Sequence, residues 1–369
     1  MTFQPFRRSF PLELEHEILG YLYPKDLMHT ALVCRRFRDI STPLLLRDAA
    51  RWAVRVDAEG KNVYEPRPKV HMLIHRIVEH GDVGRHVRFL DVRASDLRRM
   101  TREALRAVWS SMSRLVALSI KGRIYPPGPT DLALTDIHFA RLKRLRFDDM
   151  KKCPDFVPRH LSALTHLRLD EDAELVIEGR QRAFLTHYEG AFAPLMLQCD
   201  LDSSHALEYC ALFGTLPSAM HKPSFASLGL HINLRRLILG LEIPERTLLD
   251  MLKDCPKFPN IEDIGLCFDD GNDAVPRRDP ALDQLLASFP TAQRVLIYHD
   301  AWDQDWAKQQ SSAWACIVAV LCKGVKAIAF SEDALIFAGP TEGWKIDESP
   351  DKWDITDMAA PWVVQAVPY

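Results

Sequence analysis

The chain holds 369 residues, 47% of them hydrophobic and 26% charged, with a formal net charge of −3; this balance supports a folded core and excludes the apolar-poor composition of a disordered chain. Its length accommodates one extended domain or two compact ones, and eight cysteines without a CxxC pair indicate reduced thiols and an intracellular location, cytoplasm or nucleus. The segment before Phe10 is too short and polar for a signal peptide, and the longest apolar run, Ala313 to Cys322, is half a membrane span, so no membrane role is expected.

In chain order, the first informative stretch is Phe10 to Ile40. Pro11 sits where a helix can begin without its N–H, and Leu14, Ile18 and Leu22 then recur four apart with Leu19 beside them. Glu13, Glu15, His16 and Glu17 fill the other positions of the first turns, where carboxylates suit the positive end of the helix dipole. Tyr23-Pro24-Lys25 breaks this helix. Asp26 is placed to cap a second one, in which Leu27, Ala31 and Val33-Cys34 lead into the basic run Arg35 to Arg38. An isolated core of about fifty residues is marginal. Each leucine seated in a partner groove contributes about 1.5–3 kcal/mol, so the apolar face reads as a docking surface.

These residues carry a resemblance. Phe10-Pro11, Glu13, Ile18-Leu19, Leu22, Asp26-Leu27 and Val33-Cys34-Arg35-Arg36-Phe37 resemble an F-box, with Phe10 where leucine is usual and Phe37 where tryptophan is common. The resemblance implies a three-helix F-box over residues 8–48 that docks a Skp-type adaptor and, through it, a cullin-based ubiquitin ligase (SCF). It implies no catalysis by this chain. The adaptor-binding residues expected on this basis are Phe10, Pro11, Leu12, Leu14, Ile18, Leu19, Leu22, Leu27, Val33, Cys34, Arg35 and Phe37.

Residues 49–70 form the expected connecting helix and linker, with Gly60, Asn62 and two prolines. Residues 71–338 then repeat an apolar-x-x-apolar-x-apolar unit, the strand signature of a leucine-rich repeat. It occurs at Val87-Leu90-Val92, Leu115-Leu118-Ile120, Leu142-Leu145-Phe147, Leu164-Leu167-Leu169, Leu234-Leu237-Leu239, Ile261-Ile264-Leu266, Ala292-Val295-Ile297 and Val325-Ile328-Phe330. The first residues step by 28, 27, 22, 70, 27, 31 and 33. A step of 70 should hide further units, for which Phe192-Leu195-Leu197 and Phe225-Leu228-Leu230 are the candidates.

Helices are expected at Ser95 to Met112, Glu245 to Lys253 and Pro280 to Ser288, the last two ending at Pro256 and Pro290 before the next strand. The fold class is therefore an α-β solenoid: an N-terminal F-box followed by an irregular leucine-rich-repeat horseshoe with parallel strands and outer helices. This cadence resembles F-box receptors of fungi and animals, although the family's Asn or Cys after each strand is mostly absent. An ordinary α/β domain with similar strands is the alternative. The tail, 339–369, holds Trp344, Trp353 and Trp362 and serves as a cap or a substrate contact.

Period-two alternation places Phe89, Asp91, Arg93, Lys121, Arg144, Arg146, Asp148, His166, Arg168, Asp170 and Arg236 on one concave face, followed by Asp263, Gly265, Cys267, Arg294, Leu296 and Tyr298. Residues 67–123 carry thirteen Lys and Arg against five Asp and Glu, and residues 331–369 two against eight. Arginine forks suit carboxylate or phosphate, so Arg93, Lys121, Arg144, Arg146, His166, Arg168 and Arg236 are candidate contacts for an acidic or phosphorylated protein substrate; the competing reading pairs them with neighbouring aspartates. Nucleic acid is not expected without aromatic interleaving. His71, His75, Glu79 and His80 lack the HExxH arrangement, so no metal, cofactor or catalytic residue is assigned. Two functions are consistent with the sequence: the substrate-recognition subunit of an SCF ligase, or a leucine-rich-repeat scaffold that binds the adaptor without directing ubiquitination.

Overall fold

The computed structural model describes residues 11–22, 24–47, 55–56, 62–63, 70–97, 100–122, 132–148, 155–169, 184–191, 207–213, 232–241, 257–268, 283, 286–299, 318–320, 322–330, 333–337 and 344–346. It divides into two compact units, Met1–Arg146 and Phe147–Tyr369.

The first unit begins with α1 (Leu12–Gly20), α2 (Pro24–Val33) and α3 (Arg35–Arg47). Pro24 is itself the first residue of α2, where its missing N–H leaves no bond unmade, so Asp26 lies inside the first turn instead of capping it. Cys34 separates α2 from α3 and caps the latter: its Sγ accepts from the Phe37 N–H at 3.4 Å and its carbonyl from Arg38 at 3.0 Å. Leu19, Leu27, Ile40 and Leu44 form a buried core, with Leu22, Phe37 and Leu45 packed against its edge. Arg36 joins Glu15 at 2.8 Å and links α3 to α1. Of the expected connecting helix and linker, residues 49–70, the described part holds β1 (Arg55–Val56) and β2 (Asn62–Val63), which pair antiparallel, and the first residue of the next helix; the rest lies outside the described residues.

Helix α4 (Val70–Glu79) buries Ile74 and Ile77. It precedes β3 (Phe89–Arg93), whose burial alternates so that Leu90 and Val92 face the core. The single helix expected from Ser95 to Met112 is two, α5 (Ala94–Leu97) and α6 (Arg102–Ser111). The break is local, because the Thr101 hydroxyl accepts from the Ala104 N–H at 3.2 Å and starts α6 afresh. The apolar side of α6 buries Leu105, Val108 and Trp109, and the indole N–H donates to the Leu132 carbonyl at 2.7 Å. Strands β4 (Ala117–Lys121) and β5 (Arg144–Phe147) follow, and β4 runs parallel to β3 with Phe89 opposite Ala117.

The second unit contains α7 (Phe156–His160), β6 (His166–Leu169), β7 (His187–Ala191), β8 (Tyr209–Phe213), β9 (Arg236–Leu241), β10 (Asp263–Phe268), β11 (Arg294–His299) and β12 (Ala327–Phe330). Strands β6 through β12 pair parallel in sequence order. The last two strands, β13 (Asp333–Phe337) and β14 (Trp344–Ile346), pair antiparallel, which departs from the all-parallel expectation and brings Trp344 of the tail into the sheet.

Two devices recur, one in front of the strands and one between them. The residue three before the leading apolar position is buried or tightly packed, and its carbonyl accepts from the leading N–H. Examples are Gly84 to Val87 at 3.1 Å, Met112 to Leu115 at 3.1 Å, Phe139 to Leu142 at 3.1 Å, Phe289 to Ala292 at 3.2 Å and Cys322 to Val325 at 3.0 Å. One carbonyl per strand then accepts two consecutive N–H groups of the next: Arg88 takes Val116 and Ala117, Glu208 takes Arg235 and Arg236, and Gln293 takes Lys326 and Ala327.

The hidden strands between Leu164 and Leu234 are β7 and β8, led by the buried Leu185 and Leu207. The candidates Phe192-Leu195-Leu197 and Phe225-Leu228-Leu230 lie outside the described residues, as does the helix expected at 245–253; of that at 280–288, residues 283 and 286–288 are described. In β7 the third core position is Gly190, at φ +154°, because a Cβ there would lie 3.2 Å from both Leu169 Cβ and its carbonyl oxygen.

Candidate functional site

The helical module presents two apolar populations. Leu19 is 6% exposed and Leu27 5%, whereas Ile18 is 55%, Leu32 75% and Val33 70% exposed. Seven of the eleven exposed large hydrophobic side chains among the described residues lie between Leu12 and Val33: Leu12, Leu14, Ile18, Tyr21, Met28, Leu32 and Val33. Scattered apolar residues on a surface are ordinary, but this concentration on two adjoining helices marks an interaction face.

The structure divides the expected adaptor-binding set between core and surface. Leu19 and Leu27 give no surface, because consecutive helical positions lie about 100° apart and these two point into the module's own core. Leu22 and Phe37 are partly buried at its edge. Pro11, Leu12, Leu14, Ile18, Val33, Cys34 and Arg35 are exposed, and Phe10 lies outside the described residues.

The later strands of the first unit and the strands of the second carry the expected basic face, and most of it is occupied by internal partners. Lys121 Nζ meets Asp91 Oδ2 at 2.9 Å. Arg168 meets the buried Glu189 at 2.8 Å. Asp263, also buried, accepts from Arg236 Nε at 3.0 Å and from Arg294 Nε at 2.6 Å, with a further contact to the second Arg294 nitrogen. The hydrogen bond with Asp263 holds the Arg294 guanidinium above the ordinary arginine range, against the lowering effect of its burial. His166 stacks on His187 with ring centroids 4.1 Å apart and planes 5° from parallel, and its Nδ1 lies 2.9 Å from the Thr165 hydroxyl.

Arg168 and Arg236 are thus members of cross-strand ion pairs, the competing reading of these two candidate contacts. The signal for Arg236 was already present in Asp263, one strand on; that for Arg168 lay in Glu189, on a strand the repeat pattern did not locate. On the later strands Tyr209, Ala211, Ile238, Asp263, Leu296 and Ala327 are buried, as are the core positions that alternate with them, so both sides of these parallel strands are covered there. Arg93 is exposed, and Arg144 and Arg146 are half-buried. Burial pulls the Arg144 guanidinium below the ordinary arginine value.

His75 and Glu79 lie 3.4 Å apart on the exposed side of α4, and among the described residues no group of three or more His, Cys, Asp or Glu is placed to hold a metal ion. No helix among them is long and apolar enough to cross a membrane.

A self-cored helical module with an outward apolar face, followed by parallel strands and helices, defines a docking module joined to a sheet-based region. Residues 8–49 match the family model described as F-box-like. The match covers the three helices and supports an F-box protein; domains of this class bind Skp-type adaptors. No curated protein matches the chain.

Proposed function

We propose that the chain is the substrate-recognition subunit of an SCF-type ubiquitin ligase. In this reading Leu12, Leu14, Ile18, Val33 and their exposed neighbours seat in the adaptor, the adaptor brings the cullin, and the sheet captures the protein to be modified. The chain itself performs no chemistry and works in the cytoplasm or nucleus. The strands are read as irregular leucine-rich repeats, supported by the recurring turn and the two-donor carbonyl ladder. The observation that carries the function is the exposed apolar face inside the F-box-like match, on helices whose own core is already closed.

The test is co-expression of the full chain with a Skp-type adaptor and cullin, followed by capture and mass spectrometry. Wild type retains both partners; Leu12→Asp with Ile18→Asp loses them while melting at an unchanged temperature. Absence of the adaptor from wild type overturns the proposal. Retention of adaptor without cullin, or with no substrate stabilised when the gene is deleted, leaves the scaffold reading in its place.

A further inference from the structure

Subtracting the internally paired cations from the basic face leaves one place where positive charge is not already answered. Hydrogen bonds from the Lys143 and Arg144 N–H groups to the Val116 carbonyl, at 2.8 and 3.1 Å, repeat those from Val116 and Ala117 to Arg88, at 2.7 and 3.0 Å. The repetition sets Arg144 beside Ala117 and Arg146 beside Ser119, as Phe89 is set beside Ala117 and Asp91 beside Ser119. Burial alternates in phase on all three strands, so these side chains share one face. The middle strand carries small residues, Ala117 and Ser119, between Phe89 and Asp91 on one flank and the two arginines on the other. Neighbouring strands lie about 4.8 Å apart, so the small residues leave a notch as wide as one side chain.

Two polar groups at this notch are unanswered. Arg144 is half-buried, and among the described residues its guanidinium has no hydrogen bond or ion pair; burial lowers it from the ordinary arginine value. The Ser119 hydroxyl is buried with no hydrogen-bond partner. A desolvated cation and an orphaned donor on adjacent strands are costly unless a ligand completes them. On the flank facing Ala117 and Ser119, Lys121 neutralises Asp91 at 2.9 Å, which leaves Arg144 as the charge that an incoming anion would meet.

We propose that β3, β4 and β5 form an oxyanion-binding notch, floored by Ala117 and Ser119 and gripped by Arg144, that takes a phosphate or carboxylate on a peptide of the captured protein. This rests on the substrate-receptor reading and names the chemistry of what is recognised. The Arg144 fork donates to two oxygens, Ser119 donates to a third or to a bridging water, and Phe89 supplies an apolar wall.

The experiment uses the full chain in complex with its adaptor and follows the anisotropy of four fluorescein-labelled probes: a phosphoserine peptide, its unphosphorylated twin, a hexaglutamate peptide and a single-stranded oligonucleotide. The expected result is binding of the phosphopeptide over its twin, or of hexaglutamate, weakened at least about tenfold by Arg144→Gln, since even one of the two charge-assisted hydrogen bonds lost is worth about that much. Arg235→Gln, the same charge change at an exposed residue paired with Glu262 at 3.2 Å, leaves binding unchanged. The phosphopeptide and hexaglutamate arms separate a phosphate from a carboxylate source. Ala117→Glu supplies Arg144 with an internal carboxylate and is expected to abolish binding while raising the melting temperature, so a poorly folded Arg144→Gln still leaves a decisive reading. Failure of both peptides to bind, tighter binding of the oligonucleotide, or equal effects of Arg144→Gln and Arg235→Gln overturns the notch. Adaptor retention on the same samples reads the F-box separately: a complex that keeps its adaptor and binds neither peptide sinks the notch alone.

Discussion

Ile18 and Leu19 are neighbours in one helix, and they should fail in opposite ways when cut back to alanine. Leu19 is 6% exposed within the core of Leu27, Ile40 and Leu44, whereas Ile18 is 55% exposed. Truncating a buried leucine costs about 2–5 kcal/mol, while a surface truncation stays within about 0.5 kcal/mol. Since about 1.4 kcal/mol is a factor of ten, Leu19→Ala should speed amide hydrogen exchange across residues 12–47 by about thirtyfold or more, and Ile18→Ala by less than about threefold. Affinity for the adaptor reverses the order once exchange is corrected for: Ile18→Ala loses a direct contact, and Leu19→Ala loses affinity only in proportion to the unfolded fraction. Exchange measured by mass spectrometry on the full chain, with and without adaptor, reads both. Equal acceleration by the two variants would show that the division between inner and outer faces is wrong.

Three further outcomes follow from local geometry. Gly84→Ala places a Cβ in collision with the Ser111 hydroxyl, 2.7 Å from its Cβ and 3.2 Å from its carbonyl carbon; helix α6 must move, and a loss of about 1–3 kcal/mol should lower the urea midpoint, whereas no change would mean that α6 is not packed on that turn. His86 is held below its ordinary value of 6.5 by burial first, then by Arg85 and Arg114, with Asp82 opposing. The unfolded chain therefore binds the extra proton, so stability is full above pH 6.5 and declines as the pH falls below it; His86→Gln should flatten part of that slope in melts from about pH 7.5 to 5.5, and an unchanged slope refutes the assignment. Burial pushes the Cys322 thiol up to about 11, so in native protein at about pH 8 an alkylating reagent should modify exposed Cys34 and spare Cys322 and Cys210, with adaptor binding protecting Cys34. Rapid labelling of Cys322 would contradict its burial.

What could be read from the sequence depended on whether a feature was local. The apolar spacing of Leu14, Ile18, Leu19 and Leu22 announces α1, but apolar residues cover so much of a nine-residue helix that periodicity does not say which side belongs to the module and which to a partner. Strands built around Leu118 or Ile264 were legible because aliphatic side chains fill all three of their core places, as they do in Leu164-Leu167-Leu169. Strands β7 and β8 escaped because Tyr188, Gly190 and Cys210 stand at core positions. The residue three before each strand is equally hidden, since glycine, methionine, phenylalanine, leucine and cysteine all serve there; what repeats is a backbone hydrogen bond and a buried volume. Cross-strand pairs such as Arg168 with Glu189, 2.8 Å apart, require a register that no single segment contains.

The ladder also explains how the docking module is attached. The Arg47 carbonyl, at the end of α3, accepts from the Arg88 N–H at 2.9 Å, just as the Arg88 carbonyl accepts from Val116 at 2.7 Å. The end of α3 therefore stands at β3 where a preceding strand would otherwise stand, and it satisfies a donor at an edge that would invite pairing with another chain. Contacts between α3 and the turn at Gly84–His86 reinforce this attachment. Within the first unit, the helices of the F-box-like match and the strands that carry Arg144 thus share one hydrogen-bonded framework. In the substrate-receptor reading proposed above, the captured chain must be held at a set distance from a ligase, and a framework of recurring turn and carbonyl ladder serves that need without regular repeats.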